Sequence, residues 1–249
     1  MTVRAQADAR TTPVAARRAH GFGSEAGKVI LIWRKDLAIE WRNLDNLPAM
    51  FFFSMLTLVI FNFGFDFFNA DFRDLGPGVL WVAFCFSGVL AFGHSFAIER
   101  EADCIFGLML APVDPGTIYL GKLLANCTSM MIVEAAVLPL CSLMFNHDMT
   151  GQIGPLALVL LVHTIGFAST GTLFGAMTAR TRRGDVLLPI LLFSLSVPLM
   201  ISAVKCTSAA LADESLFTGA ASAWLVMAAI FDAVFVAAAF LTFEYVIEE

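Results

Sequence analysis

Charge is what this sequence has least of. Of its 249 residues, 14% are charged and 59% are apolar, with a mean hydropathy of +0.80. Soluble domains are typically about 25% charged and about 45–50% apolar, so the composition excludes an ordinary soluble enzyme. No basic face remains once the long apolar segments are set aside, so nucleic acid is not an expected partner. The chain is predicted to be an integral membrane protein.

Cysteine and histidine are too scattered to build a disulfide framework or a metal centre. The five cysteines include no C-x-x-C pair, and no histidine has a second ligand residue three or four positions away. We therefore predict neither a zinc site nor any other bound metal. A hydrophobic run is also missing from residues 1–27, which are expected to be a disordered cytoplasmic tail rather than a cleavable signal peptide.

Six apolar segments are long enough to cross a membrane as helices. About 20 apolar residues span roughly 30 Å of hydrocarbon, and an open sheet would leave backbone groups unpaired in lipid. The predicted spans are 47–65, 77–98, 123–145, 153–179, 186–204 and 222–243. The expected fold is all-α, with residues 46–249 forming one six-helix transmembrane domain.

The positions of lysine and arginine predict which side of the membrane each loop occupies. Eight of the fifteen precede residue 46, two more (Arg100 and Lys122) lie in the second loop, and three lie in the fourth. If the N-terminus is cytoplasmic, only Arg73 and Lys205 fall outside, as the positive-inside rule favours. Both termini are therefore expected in the cytoplasm.

Residues 28–45 form a separate amphipathic segment before the first span. One helical stripe of this segment is apolar and contains Val29, Trp33, Leu37, Trp41 and Leu44. Basic residues fill much of the remaining surface, which is typical of a helix lying in the membrane interface. Two hypotheses have equal weight, a simple interfacial anchor and a docking site for a cytoplasmic partner.

The second loop has the pattern of a short cytoplasmic helix. Acidic residues at 99–103 follow the end of the second predicted span. An apolar run occupies 105–111, and Pro112 ends this run. Asp114 and Pro115 are suitable N-cap and first residues for the next helix. An exposed apolar face with an acidic rim is a surface that a soluble protein can bind, although the same helix could simply lie in the interface.

A partial nucleotide-binding motif overlaps this loop. Residues 116–122 match the start of a phosphate-binding loop, but Leu123 stands where Ser or Thr must hold Mg²⁺. We therefore expect any ATP to be bound by a partner and not by this chain.

Three ionisable residues lie deep inside predicted spans. Glu134, His163 and Asp232 are each about 14–17 Å from the nearest span end, at about 1.5 Å per residue. Such groups indicate a functional site by default, but protonated carboxyls bonded to Ser or Thr between helices are the structural alternative. No spacing imposes a nucleophile–base pair, so no catalytic residue is predicted.

Two weaker patterns concern packing. Trp81 and Trp224 lie near the outer ends of their spans, as expected for an interfacial aromatic belt. Gly171 and Gly175 form a G-x-x-x-G pattern compatible with close helix packing, within the chain or between two copies.

Four stretches carry a family resemblance: PGVLWVAFCFSGVLAFGHSFAIEREADCIFGLMLAPVD (77–114), IYLGKLLAN (118–126), GTLFGAMTARTRRGDVLLPILLFSLSVPLMISA (171–203) and the opening WRKDLAIEWRN (33–43). These stretches resemble the CcmB family, the permease subunit of the haem-exporter-type ABC complex of cytochrome c maturation. Together they cover most of residues 30–210. The resemblance implies an ABC-2-type permease plan in a bacterial inner membrane.

The resemblance also implies partners. In the family, two copies of this subunit pair with two copies of a soluble ATPase, CcmA, and associate with CcmC and the small CcmD. Haem passes to the chaperone CcmE, and ATP hydrolysis is associated with releasing haem-loaded CcmE. No cofactor is expected on this subunit itself.

By similarity to ABC permeases, residues 98–114 would be the coupling segment that contacts the ATPase. The expected coupling residues are Glu99, Arg100, Asp103, Leu110 and Pro112. A second inner contact is expected at Arg180, Arg182 and Arg183.

The sequence thus predicts a non-catalytic membrane subunit that supports haem delivery for c-type cytochromes. The alternatives are a permease for a lipid, polysaccharide or drug, and a membrane scaffold through which nothing is transported.

Overall fold

Helices make up most of the chain where its structure is described. The computed structural model describes residues 22–43, 46–68, 72–101, 113–179, 181 and 184–248. Within these ranges there is no strand, and the seven α-helices are α1 (Phe22–Asn43), α2 (Asn46–Phe68), α3 (Phe72–Glu101), α4 (Pro115–Met144), α5 (Ile153–Ala179), α6 (Gly184–Leu211) and α7 (Gly219–Glu248), with one 3₁₀ turn at Thr150–Gln152. In the described residues six helices, α2 to α7, are long and apolar enough to cross a membrane. The predicted all-α, six-span class is confirmed.

Five of the six spanning helices are longer than the apolar segments that predicted them, with the largest one-sided extensions in α4 and α6. The helix α4 begins at Pro115 rather than at 123, and α6 continues to Leu211 rather than ending at 204. Hydropathy marks only the part of a helix that matches hydrocarbon, whereas backbone hydrogen bonding continues as long as the chain permits. Lys122 and Lys205, assigned to loops above, consequently lie inside α4 and α6.

Helices α3 and α5 form the centre of the bundle. In the 18-residue apolar window of each span, the buried share is 67% in α3 and 61% in α5, compared with 17% in α2 and 11% in α7. Helix α5 packs against α3, α4, α6 and α7. The outer helices α2 and α7 therefore present most of their apolar surface to the surroundings.

The G-x-x-x-G pattern of α5 packs inside the chain. A Cβ atom at Gly171 would overlap the ring of Phe92, and one at Gly175 would press on the ring of Phe96. Both rings belong to α3 and are buried. The absence of side chains on α5 thus lets these two central helices approach closely, and this face is covered by α3 of the same chain.

Replacing Gly171 by Val should separate α3 from α5. The ring of Phe92 is completely buried and has no free space to move into. We therefore expect overpacking to lower the free energy of unfolding by about 1–3 kcal/mol and the thermal midpoint by several degrees. The measurement is thermal unfolding of the full-length protein in lipid nanodiscs. Gly154→Val is the matched control, because Gly154 is on the same helix with open space around it. Equal midpoints for the two variants would contradict the packing described.

Candidate functional site

The predicted coupling residues are largely outside the described structure. Asp103, Leu110 and Pro112 lie outside the described residues, as do the arginines at 180, 182 and 183. Glu99 and Arg100 belong to the end of α3, but their side chains are not described. Their assignment to ATPase coupling stays a prediction.

The start of α4 has the expected N-cap residue but not the expected side-chain capping hydrogen bond. Asp114 is the N-cap residue, with φ −69° and ψ 134°, and Pro115 occupies the first turn. The Asp114 side chain makes no capping hydrogen bond, and its carbonyl accepts from the amides of Thr117 and Ile118. The motif-like residues 116–122 are therefore ordinary helix and not a phosphate-binding turn.

Helix α1 packs against the first half of α4 through hydrogen bonds. Thr117 Oγ1 donates to Glu25 Oε2 at 2.8 Å, and Trp33 Nε1 donates to Thr128 Oγ1 at 3.1 Å. Of the stripe predicted for this segment, Trp33 is half-buried but Trp41 is 59% exposed. The face of α1 that contacts α4 is therefore not the predicted apolar stripe itself. It lies further round the helix, on the side of the acidic residues.

Lys122, predicted from the sequence to lie in the second loop, lies inside α4. Its side chain is almost completely buried, with Nζ 3.6 Å from Asp36 Oδ2 and 4.6 Å from the centre of the Phe96 ring. Asp36 is also paired with Lys35 at 2.9 Å. A buried ammonium needs a counter-charge, and here α1 supplies it to α4. Sequence reasoning missed this pair because its members are far apart in the chain.

A polar cluster continues this contact into the bundle. Glu40 of α1 accepts hydrogen bonds from Asn46 Nδ2 at 2.9 Å and from the hydroxyl of Ser129. Asn126 Nδ2 donates to Thr172 Oγ1 at 2.9 Å, which joins α4 to α5. A small cavity of about 50 Å³ lies between α1, α2, α3 and α4 and is partly lined by Glu40, Asn46 and Asn126. The first half of α4 is therefore hydrogen-bonded to both α1 and α5.

Glu134 is buried between α4 and α5. The hydroxyl of Thr164 lies 2.8 and 3.0 Å from the two carboxyl oxygens of Glu134 and donates to them. The glutamate also lies at one end of a mainly apolar groove of about 430 Å³ between the same two helices. The Thr164–Glu134 hydrogen bond gives the buried carboxyl group a partner inside a spanning helix, and it joins α4 to α5 directly.

His163 belongs to a different set of contacts, on the α6 side of α5. Nδ1 lies 2.7 Å from the carbonyl oxygen of Val159, which can only accept, so Nδ1 carries a proton. Nε2 lies 3.0 Å from Ser202 Oγ, and Ser202 Oγ lies 2.7 Å from the carbonyl oxygen of Trp224, so the single hydroxyl proton has two acceptors within reach. These contacts connect α5, α6 and α7.

Trp81 completes this network from α3 and does not form part of an interfacial belt. It is 3% exposed, its ring centre lies 5.5 Å from that of His163, and its Nε1 donates to Thr207 Oγ1 at 2.9 Å. The belt prediction was therefore wrong for this residue. Nothing in the local sequence distinguishes an inward tryptophan from one at the interface, since the whole span is apolar.

Asp232 of α7 lies against α5 at Gly166. A Cβ at residue 166 would overlap Asp232 Oδ1, so the carboxyl group depends on this glycine for space. Asp232 Oδ1 is buried and has no hydrogen-bond partner in the described part of the chain. Glu134 and Asp232 thus lie against Thr164 and Gly166, in the turn of α5 that carries His163. Among the described residues, no hydrogen bond or ion pair joins the three ionisable side chains to one another.

Comparison with known proteins assigns the chain to a family. The family model described as "CcmB protein" matches residues 28–246. The chain belongs to the CcmB family. This confirms the resemblance, and the CcmB match includes all six spanning helices and most of α1.

Curated relatives carry the name "Heme exporter protein B". The one from Bradyrhizobium diazoefficiens is 27% identical over 186 residues, 74% of this chain and 82% of the relative. The one from Rhodobacter capsulatus is 29% identical over 167 residues, 66% and 74% of the two chains. The Escherichia coli K12 protein is 27% identical over 185 residues, 72% and 81%.

Removing the hydroxyl of Thr164 should destabilise the α4–α5 contact. Thr164→Val keeps the shape but leaves the buried Glu134 carboxyl without this donor, at a cost of about 1–3 kcal/mol. We expect a thermal midpoint several degrees lower in nanodiscs. Glu134→Gln retains an accepting oxygen and is the matched control, with a smaller expected loss. A Thr164→Val variant as stable as wild type would contradict the role given to this bond.

Removing the carboxylate of Asp36 should remove the counter-charge that α1 supplies to Lys122. Breaking a buried ion pair typically costs about 3–5 kcal/mol, so Asp36→Leu should strongly lower the thermal midpoint. The double variant Asp36→Leu with Lys122→Met should recover most of the loss. Lys35→Gln, which changes the more exposed partner of Asp36, should have little effect. If the double variant is no more stable than Asp36→Leu alone, the pair is not the source of the stability.

Proposed function

We propose that this chain is the membrane subunit of an ATP-driven haem-export complex that serves c-type cytochrome biogenesis. The support is the CcmB family match over residues 28–246 and the naming of the relatives as heme exporters. The proposed complex contains two copies of this chain and two of a CcmA-like ATPase, with CcmC-like and CcmD-like subunits. It serves a CcmE-like haem chaperone from a bacterial inner membrane, and both termini of this chain face the cytoplasm.

In this proposal the connection between α3 and α4 receives the movement of the ATPase. In or beside this connection lie Glu99, Arg100, Asp103, Leu110 and Pro112, and Arg180, Arg182 and Arg183 follow α5 in the sequence. Coupling requires that the ATPase contact the subunit differently in its two nucleotide states. The first half of α4 is hydrogen-bonded to α1 and α5, so it is a stiff element that could transmit the change in ATPase contact between nucleotide states.

The packing supports a route from the connection to the membrane interior. Lys122 and Glu134 are on the same helix, about 18 Å apart at about 1.5 Å per residue. The former is paired with α1 and the latter is bonded to α5. A displacement at the start of α4 would therefore reach α1 and α5 together.

This subunit is proposed to be non-catalytic. ATP is bound by the partner ATPase, haem is the substrate handled by the whole complex, and the chain itself holds no cofactor. The polar contacts of Glu134 and His163 serve in helix packing. Export of a lipid, polysaccharide or drug by the same six-span plan is the competing function.

The test is the double variant Asp103→Arg with Leu110→Asp in the full chain. We expect loss of ATPase co-purification and of cytochrome c maturation, while the subunit remains in the membrane in normal amount. Glu214→Arg is the matched control, because this exposed acid lies at the opposite end of the bundle. Retained ATPase binding would overturn the coupling assignment. Normal cytochrome c maturation in a strain lacking this chain would overturn the haem function and favour the competing one.

A further inference from the structure

Two basic residues of α1, Lys28 and Lys35, pair with its acids Glu25 and Asp36, whereas Arg34 and Arg42 are exposed on the other side of the helix. The three acidic residues of α1, Glu25, Asp36 and Glu40, all point towards α4. Their partners there are Thr117, Lys122 and Ser129 respectively. The whole acidic content of α1 is therefore used in docking to the bundle.

The opposite face of α1 combines apolar and basic residues. Ile30, Leu31 and Trp41 are 50%, 66% and 59% exposed. Arg34 and Arg42 are exposed on the same half of the helix, at about 3.6 residues per turn. We call these five residues the basic apolar face, and α1 has no acidic residue on it.

The C-terminal end of α1 lies close to the start of the first spanning helix. The helix ends at Asn43 and the first spanning helix begins at Asn46. Only two residues separate them, so α1 cannot lie far from the membrane boundary. Large apolar side chains at such a boundary are buried in the region between headgroups and acyl chains, and arginines beside them attract anionic lipids.

We propose that the basic apolar face of α1 binds anionic phospholipid headgroups of the adjacent leaflet. Arg34 and Arg42 contact the phosphates, while Ile30, Leu31 and Trp41 enter the acyl boundary. In the topology proposed above this is the inner leaflet, but the recognition does not depend on the ATPase or on haem. The same helix then links an anionic lipid surface on one face to α4 on the other.

Lipid quenching of Trp41 tests this proposal in the full-length protein. The protein is placed in phosphatidylcholine nanodiscs containing a small fraction of spin-labelled phosphatidylglycerol or, separately, of spin-labelled phosphatidylcholine. The Trp41 signal is the difference between wild type and Trp41→Phe. We expect phosphatidylglycerol to quench it at a several-fold lower mole fraction. About 1 M salt, which shortens the Debye length to about 3 Å, should remove the preference.

The variant Arg34→Gln with Arg42→Gln should abolish the preference without changing the thermal midpoint. Lys205→Gln is the matched control, since Lys205 is an exposed cation near the opposite end of the bundle, and it should preserve the preference. The salt titration of the wild type needs no variant and keeps the proposal testable if the double variant does not fold. Equal quenching by the two lipids in wild type would overturn the proposal. So would an unchanged lipid preference accompanied by loss of ATPase binding in the double variant, which would assign the face to a protein partner.

Discussion

Hydrogen-bonding groups inside a bilayer find no water, so they need partners within the protein, and α5 supplies many of these partners. Its contacts with neighbouring helices include Thr164 to Glu134 of α4, His163 to Ser202 of α6, and Thr172 to Asn126 of α4. Apolar packing alone gives little preference between neighbouring helices in lipid, because lipid tails are equally apolar. The polar contacts of α5 therefore specify which helices are its neighbours and in which register.

The small residues of α5 make these contacts possible. Gly171 lets the ring of Phe92 lie against the helix, and Gly166 leaves room for the carboxyl group of Asp232. Close approach of helices increases van der Waals contact, which is a main source of association in membranes. The same stretch thus combines close packing with hydrogen bonding, and the three midplane ionisable residues are gathered around it.

Helix α1 applies a different solution at the membrane boundary. Asp36 neutralises the buried ammonium of Lys122, and Glu40 accepts from Ser129 and Asn46. Burying these acids against α4 leaves the exposed face of α1 basic and apolar. One helix consequently carries both the contact that holds the start of α4 and a surface suited to anionic lipid, at the end of the bundle where the proposed coupling segment lies.

Much of the architecture could be predicted from sequence, and the exceptions share one cause. Length and hydropathy identified six spanning helices, because crossing hydrocarbon requires a run of apolar residues. They failed at Lys122, since a charged residue looks like a loop residue unless its distant partner Asp36 is known. They also failed at Trp81, because a span that is apolar on all sides does not reveal which side faces the protein interior. The G-x-x-x-G pattern indicated close packing but did not say whether α3 or a second copy is the partner.

The sequence by itself determined the membrane class, the number of spanning helices and the family resemblance, because these depend on composition along the chain and on contiguous motifs. Only the tertiary structure decided that α1 turns its acids towards α4, that Glu134 is bonded to Thr164, and that Trp81 lies beside His163. These are contacts between residues far apart in sequence, and their energies depend on distance and burial in three dimensions. A scarcity of charge therefore predicted where the chain lies, but the pairing of the few charges determined how its helices are held together.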